Sequence, residues 1–329
     1  MFLRARVALA GAMVALWSFG GMARAEFRFT VTSDPQSYNA AFSEVLTAVN
    51  DVVGGPGAFH VSAGDMIFFT GDISLARDVV DERFGIDYPW YPLTGNHDVA
   101  DIGWLRDEYD NGNGVRTPLK TRTNQDGPAG TMQTTFTWDY ANAHFVFLNQ
   151  FWDGSSDTGT DSDVGTDGDV VPELYDWLAN DLAANQQQFT FVFGHEPAFP
   201  YNRHVGDSLD QYPAHRDAFW QLLEDNDVTA YVCGHTHFYS THQGNVDHIG
   251  KVWQINPATA GFPHGNPMMF LDVTVGSTDV TFDAYEDSGG WHLSDTTVVP
   301  EPSSLILLSI GAIGLLVHVG SWGHSLISD

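Results

Sequence analysis

A single cysteine, Cys233, stands among 329 residues, and lysine plus arginine number only 13 against 42 aspartates and glutamates. One thiol closes no intrachain disulfide and builds no multi-thiolate metal site. Cys233 sits at the end of an apolar run and is expected to fill core. The shortage of base leaves a net charge of −29 and no basic stripe, so no nucleic-acid surface is evident. Such a field also repels other anions unless bound cations reverse it locally. Disorder is excluded by the opposite abundance: 43% hydrophobic and 13% aromatic residues are ample for a packed core.

Apolar runs long enough to concern a membrane are confined to the two ends. Arg4 and Arg6 precede Val7 to Phe19, and Ala23-Arg24-Ala25 offers small residues for cleavage. Residues 1–25 therefore read as a secretory signal peptide. Its removal would carry the net charge from −29 to about −32. At the other end, Val299-Pro300-Glu301-Pro302-Ser303-Ser304 leads into the apolar stretch Leu305 to Val317. This end, residues 299–329, resembles the PEP-CTERM sorting signal that exosortases recognise, with a short transmembrane segment at about 305–319. It departs from that signal in lacking a closing basic cluster, since His318, Trp322 and His324 follow instead. A simple tail anchor is the alternative. The expected organisation is a catalytic domain over 26–286, a polar linker over 287–298 and this tail, placing the protein in the periplasm, envelope or medium.

Between the ends, strand and helix patterns alternate. Phe27 to Thr32 reads as a strand ending in Asp34-Pro35-Gln36, and Phe42, Val45, Leu46, Val49 and Val53 follow at helical spacing. Phe59 to Ser62 runs into Gly64-Asp65, which is preferred over the nearby Gly71-Asp72 because it directly ends a strand. Trp90 to Thr94 ends in Gly95-Asn96-His97-Asp98. Thr134 to Trp138 and His144 to Asn149 read as an antiparallel pair, with His144 an ordinary strand residue. Asp153 to Asp169 reads as a solvated acidic insertion. Beyond a helix from Glu173 to Ala184, Thr190 to Phe193 ends in Gly194-His195, and Val228 to Val232 ends in Gly234-His235-Thr236-His237. Lys251 to Asn256, Met268 to Val275 and Thr278 to Tyr285 close the domain as strands.

Ligand-type residues thus recur at strand ends, the edge where α/β sheets build sites. In extended chain the two imidazoles of His-x-His lie roughly 6–7 Å apart on one face. That spacing suits ions about 3.5–4 Å from each other. The donors are nitrogen and hard oxygen with no thiolate, a set matched to Mn, Fe or Zn. One carboxylate among imidazoles can bridge two cations, which together polarise a phosphoryl oxygen and generate hydroxide from water.

Five blocks in this order resemble the calcineurin-like metallophosphoesterase superfamily: Asp34-Pro35-Gln36, Gly64-Asp65, Gly95-Asn96-His97-Asp98, Gly194-His195 and Gly234-His235-Thr236-His237. The resemblance spans Phe27 to about Tyr285. It implies an α/β (α+β) four-layer sandwich, two mixed β-sheets flanked by helices. It implies a binuclear metal-dependent hydrolase of phosphate monoesters or diesters, holding two divalent or trivalent ions. Carried over by position, Asp34, Gln36 and His237 hold the first ion, Asp65 bridges, and Asn96, His195 and His235 hold the second. His97 is then the catalytic proton donor or charge stabiliser, with Asp98 beside it as an orienting partner.

Gln36 stands where that family usually has histidine, and its amide oxygen is the weaker ligand. Phe68, three residues after Asp65, stands where the purple acid phosphatase branch has tyrosine. A catalytically silent metal-binding or scaffold protein of the envelope is the alternative function. His97 discriminates, because no structural metal site needs it. His204, His215 and His264 lie in segments that could line the pocket, but each is expected at the surface.

Overall fold

The computed structural model describes residues 26–301 apart from 69–70, 87, 110–125, 132, 156–167 and 262–265. The expected signal peptide, the tail beyond 301 and most of the acidic insertion lie outside the described residues.

The first half of the chain alternates as its sequence suggests. β1 (Phe27–Thr32), β2 (His60–Ser62) and β3 (Trp90–Pro92) run parallel, with α1 (Asn39–Val53) and α2 (Ile73–Phe84) between them and α3 (Ile102–Tyr109) after. α1 buries Phe42, Val45, Leu46 and Val49 on one face and ends at Gly54, whose φ of 77° closes the helix left-handed. Asp72, the rival of Asp65, caps α2 by accepting from the Ser74 amide at 2.9 Å.

The second half supplies β4 (Phe136–Tyr140) and β5 (Ala143–Phe147), then α4 (Pro172–Ala184), β6 (Phe189–Phe193), α5 (Pro213–Asp225) and β7 (Ala230–Val232). β8 (Tyr239–Gln243), β9 (Trp253–Pro257), β10 (Met269–Val275), β11 (Asp279–Asp287) and β12 (Trp291–Pro300) follow. Two six-stranded mixed sheets result, ordered β12-β11-β10-β1-β2-β3 and β4-β5-β6-β7-β9-β8. Their facing sides interdigitate aromatics: Phe29 meets Phe145 at 5.5 Å and Phe191 at 5.6 Å between ring centroids, and Phe59 meets Trp138 at 4.9 Å. α1 and α2 cover the outer face of the first sheet, where His60 of β2 meets Phe84 of α2 at 5.4 Å between ring centroids, while Leu174, Leu178, Phe219 and Leu223 of α4 and α5 join a second core on the far side of the second sheet. The four-layer sandwich expected from the sequence is the fold.

Residues 287–298 are not a linker. Trp291 to Pro300 form β12, paired antiparallel along β11, and the folded domain extends to Glu301. The expectation failed because an edge strand needs little apolar surface: Val299 is 5% exposed, whereas most of β12 faces solvent. β8, the edge strand of the second sheet with residues mostly half-buried, escapes the sequence pattern for the same reason.

Candidate metal centre

Parallel strands of both sheets deliver their carboxyl ends to one pole, and the loops leaving them converge. Asp34 follows β1, Asp65 follows β2, Asn96 and His97 follow β3, His195 follows β6, and His235 and His237 follow β7. Strand geometry alone would carry these side chains past one another, so the loops turn sharply. Asp34, Gln36, Asp65, His235 and His237 all hold positive φ, between 48° and 71°. Non-glycine residues pay for such conformations, and a cluster of them marks a site where local strain serves function. The turns are pinned by backbone bonds: Asp34 N to Gly64 O at 3.1 Å and Gln36 N to Asp65 O at 2.9 Å. Two glycines are needed for closeness. A Cβ on Gly64 would overlap the His195 ring, and one on Gly95 would overlap the Asp65 carboxylate.

Six of the seven expected ligands are buried together, and Asn96 is half-buried beside them. Asp34, Gln36, Asp65, His195, His235 and His237 are all at most 3% exposed. Two triplets, Asp34–Asp65–His237 and Asp65–His195–His235, each bring their ligand atoms within 4.8 Å of one another. Asp65 belongs to both. His237 Nε2 lies 3.2 Å from Asp34 Oδ1, and His195 Nε2 lies 3.4 Å from Asp65 Oδ2. Gln36 reaches the same carboxylate, its Nε2 donating to Asp65 Oδ2 at 3.1 Å.

Three features fit this donor set to cations. Asp34 Oδ1 and Gln36 Oε1 are buried without a hydrogen-bond partner, a cost that a bound ion would remove. The Asn96 side-chain amide reaches into the space between the triplets, 3.2 Å from His235 Nδ1 and His195 Nε2 and 3.3 Å from both Asp65 oxygens. His195 Nδ1 bonds the Ala63 carbonyl at 2.8 Å, which turns Nε2 inward as the ligating nitrogen.

Electrostatics point the same way. Burial opposes the charge of Asp65, but His195 overcomes it by charge and hydrogen bond, with His97 and His235 adding, and holds the carboxyl below its usual range. Against the cost of its own burial, the same contact pushes His195 up to about 10. A proton there occupies the place of a cation, since imidazole ligates only when neutral. Burial, reinforced by His195 and His204, drives His235 well below the ordinary histidine value.

His97 stands at the rim, with Nε2 3.7 Å from Asp65 Oδ2 and its ring 5.1 Å from that of Phe68. Its amide N donates to Asp65 Oδ1 at 3.0 Å. The expected pairing with Asp98 is absent. Asp98 spends its oxygens on backbone amides instead, Oδ1 accepting from Ile67 at 3.1 Å and Oδ2 from Gly95 at 2.9 Å. It therefore ties the Gly95 turn to the Asp65 loop. Burial and the neighbouring Asp65 charge push its pKa up to about 8.

His204 corrects another expectation. Its ring lies 3.9 Å from that of His235, and with Asp207 and His235 it forms a third group of ligand-type atoms. Only its place in the loop leaving His195 could have suggested this. His215 remains at the surface, bonded to Asp169 at 2.6 Å, and His264 lies outside the described residues. Supporting residues also escaped the sequence: Thr259 Oγ1 holds the Asp34 carbonyl at 2.9 Å, and Asn256 binds Gly234 O and Thr236 Oγ1.

Known proteins resemble this arrangement. Tartrate-resistant acid phosphatase type 5 of Mus musculus is 29% identical over 190 residues, 54% of this chain and 54% of that protein. The chain thus spans about half the length of the curated relatives it matches. A dimetal phosphatase from Danio rerio shares the fold at TM-score 0.57 and 13% identity, covering 84% of this chain and 99% of that one. A purple acid phosphatase from yellow lupin (Lupinus luteus) seeds does so at TM-score 0.56 and 14% identity, covering 84% and 54%. That likeness is one of fold, and Phe68 still stands beside His97. The PEP-CTERM protein-sorting motif matches residues 298–318. Calcineurin-like phosphoesterase, as a family, matches residues 27–239, and this chain belongs to it.

Proposed function

We propose that the chain is an exported binuclear metal-dependent phosphoesterase, hydrolysing a phosphate monoester or diester. The observation that carries this reading is the pair of buried Asp/His triplets sharing Asp65 within the phosphoesterase fold. Asp34, Gln36 and His237 would hold one ion, Asn96, His195 and His235 the other, and Asp65 would bridge them. When bound, such a pair polarises a phosphoryl oxygen and lowers the pKa of water, and Mn, Fe or Zn suits these donors. His97, at the rim and within reach of the bridging carboxylate, donates a proton to the leaving oxygen or offsets charge on the phosphoryl group. Burial lowers its pKa and the Asp65 charge opposes that fall. Export rests on the amino-terminal leader and the sorting motif, with exosortase as the expected processing partner. No described helix is long and apolar enough to cross a membrane.

The test is metal content together with a screen of phosphomonoesters, diesters, nucleotides and phospholipid headgroups. Two ions per chain with turnover on one class supports the reading. Two ions without turnover on any class supports the silent scaffold instead.

A further inference from the structure

The first sheet relates the metal centre to the sorting tail. β1 runs toward the centre and ends just before Asp34. β10 runs antiparallel to β1, β11 to β10 and β12 to β11, so β12 runs away from the centre. The register fixes where it stops. Phe27 pairs with Val275, Val275 with Val280, and Val280 with Val299. Pro300 and Glu301 therefore leave the domain level with the start of β1. The far end of β1, Thr32, lies five residues further along, about 17 Å at strand rise, with Asp34 just beyond it.

The exit is firmly held. The Glu301 amide donates to Thr278 O at 2.8 Å, and the buried Val299 lines one small cavity with Trp253 of β9 and with Val228, just before β7. The sorting motif begins at residue 298, within β12. Only residues 302–304 separate Glu301 from the apolar stretch beginning at Leu305. Such a span reaches about 14 Å at full extension. The same pole also carries Ile86, 81% exposed just before β3, and Ile249, 69% exposed before β9.

We propose that this pole faces the membrane in the tail-bearing protein, with the metal centre directed away from the lipid. A tether this short leaves the domain no freedom to turn over. The turns at Gly276–Thr278 and Gly54–Gly57 meet the lipid surface, while the rim carrying His97 and His204 opens to the aqueous side. Substrates then arrive from solution, and phosphate headgroups of the membrane that holds the tail are out of reach. This orientation rests on topology and tether length and is independent of the proposed activity.

The test uses the full chain with its tail intact, reconstituted in vesicles of phosphatidylethanolamine and phosphatidylglycerol carrying a headgroup spin label. A fluorophore is attached at S277C, at the tail pole, or at V205C, at the site pole. Cys233 is fully buried and does not compete for the label. Loss of most of the emission at S277C with none lost at V205C is expected, and a chain ending at Glu301 should lose none at either position. Equal quenching at both positions, stronger quenching at V205C, or no quenching at either in the full chain would overturn the proposal.

Discussion

Two buried clusters of histidine and aspartate occupy opposite poles of this protein, and they differ in how completely they satisfy themselves. At the amino-terminal end of β5, His144 bonds Asp139 through Nδ1 and Asp181 through Nε2, each at 2.7 Å. The carboxylates are bonded in turn, Asp181 Oδ1 by Thr137 at 3.1 Å and Asp139 Oδ2 by Gln187 at 2.8 Å. At the carboxyl ends of the strands, Asp34 Oδ1 and Gln36 Oε1 lack hydrogen-bond partners among the described residues, and Asp34, Gln36, Asp65, His235 and His237 hold positive φ. Both places set histidine against two aspartates. The closed network is a structural device, while the open one is built for something outside the chain.

Removing the ions should separate the poles most sharply. Residues 26–301, loaded with Mn, Fe or Zn, should cleave an activated phosphoester, and exhaustive chelation should abolish turnover while leaving the fold intact. Undiminished turnover in the metal-free protein would defeat the binuclear reading.

Next in size is the division of labour within the centre. His97→Ala should cut turnover by roughly 10²–10⁴, as expected for a lost proton donor, while metal content stays near wild type. Asn96→Ala should lower occupancy of one ion instead. If His97→Ala strips metal and activity per bound ion is unchanged, His97 is a ligand. Gln36 offers a smaller contrast. Gln36→His would give the first ion a second imidazole beside His237 and should tighten retention by about 10–100-fold, shifting preference toward Zn over Mn. Metal stoichiometry after dialysis against both ions reads this out, and unchanged retention would mean that Gln36 acts only through Asp65.

Much of the open cluster was legible in the sequence, and most of the closed one was not. Asp34, Asp65, Asn96, His195, His235 and His237 each end a buried apolar run, most beside a glycine, so local pattern locates them. His204 sits in a loop without periodicity, and its approach to His235 depends on a positive φ of 57°. Asp98 was legible as a neighbour of His97 but not as a brace for Gly95 and Ile67, because adjacency in sequence does not fix side-chain direction. β12 reads as polar because an edge strand exposes most of its residues. His144 could be read only as a strand residue, since Asp139 is five positions away and Asp181 arrives from α4.

The smallest expected effect is a slope, and it tests whether the closed cluster is charged. Burial lowers the tendency of His144 to hold a proton, but the hydrogen bonds and charges of Asp181 and Asp139 outweigh it, and the net shift is upward. A histidine whose folded pKa exceeds its unfolded value binds its proton more tightly when folded. Its contribution to stability is fully present below the unfolded value of about 6.5 and is lost as pH rises through the folded one. The wild-type urea midpoint should therefore decline from pH 6 into the alkaline range by more than that of His144→Gln. The glutamine variant keeps one amide donor near the carboxylates but has no proton to release. It should start less stable at pH 6 and lose less thereafter, so the two curves converge. Measuring both with metals removed cancels the titration of the centre, which the variants share. Parallel curves would mean that His144 is neutral throughout, and that the two poles differ in satisfaction but not in charge.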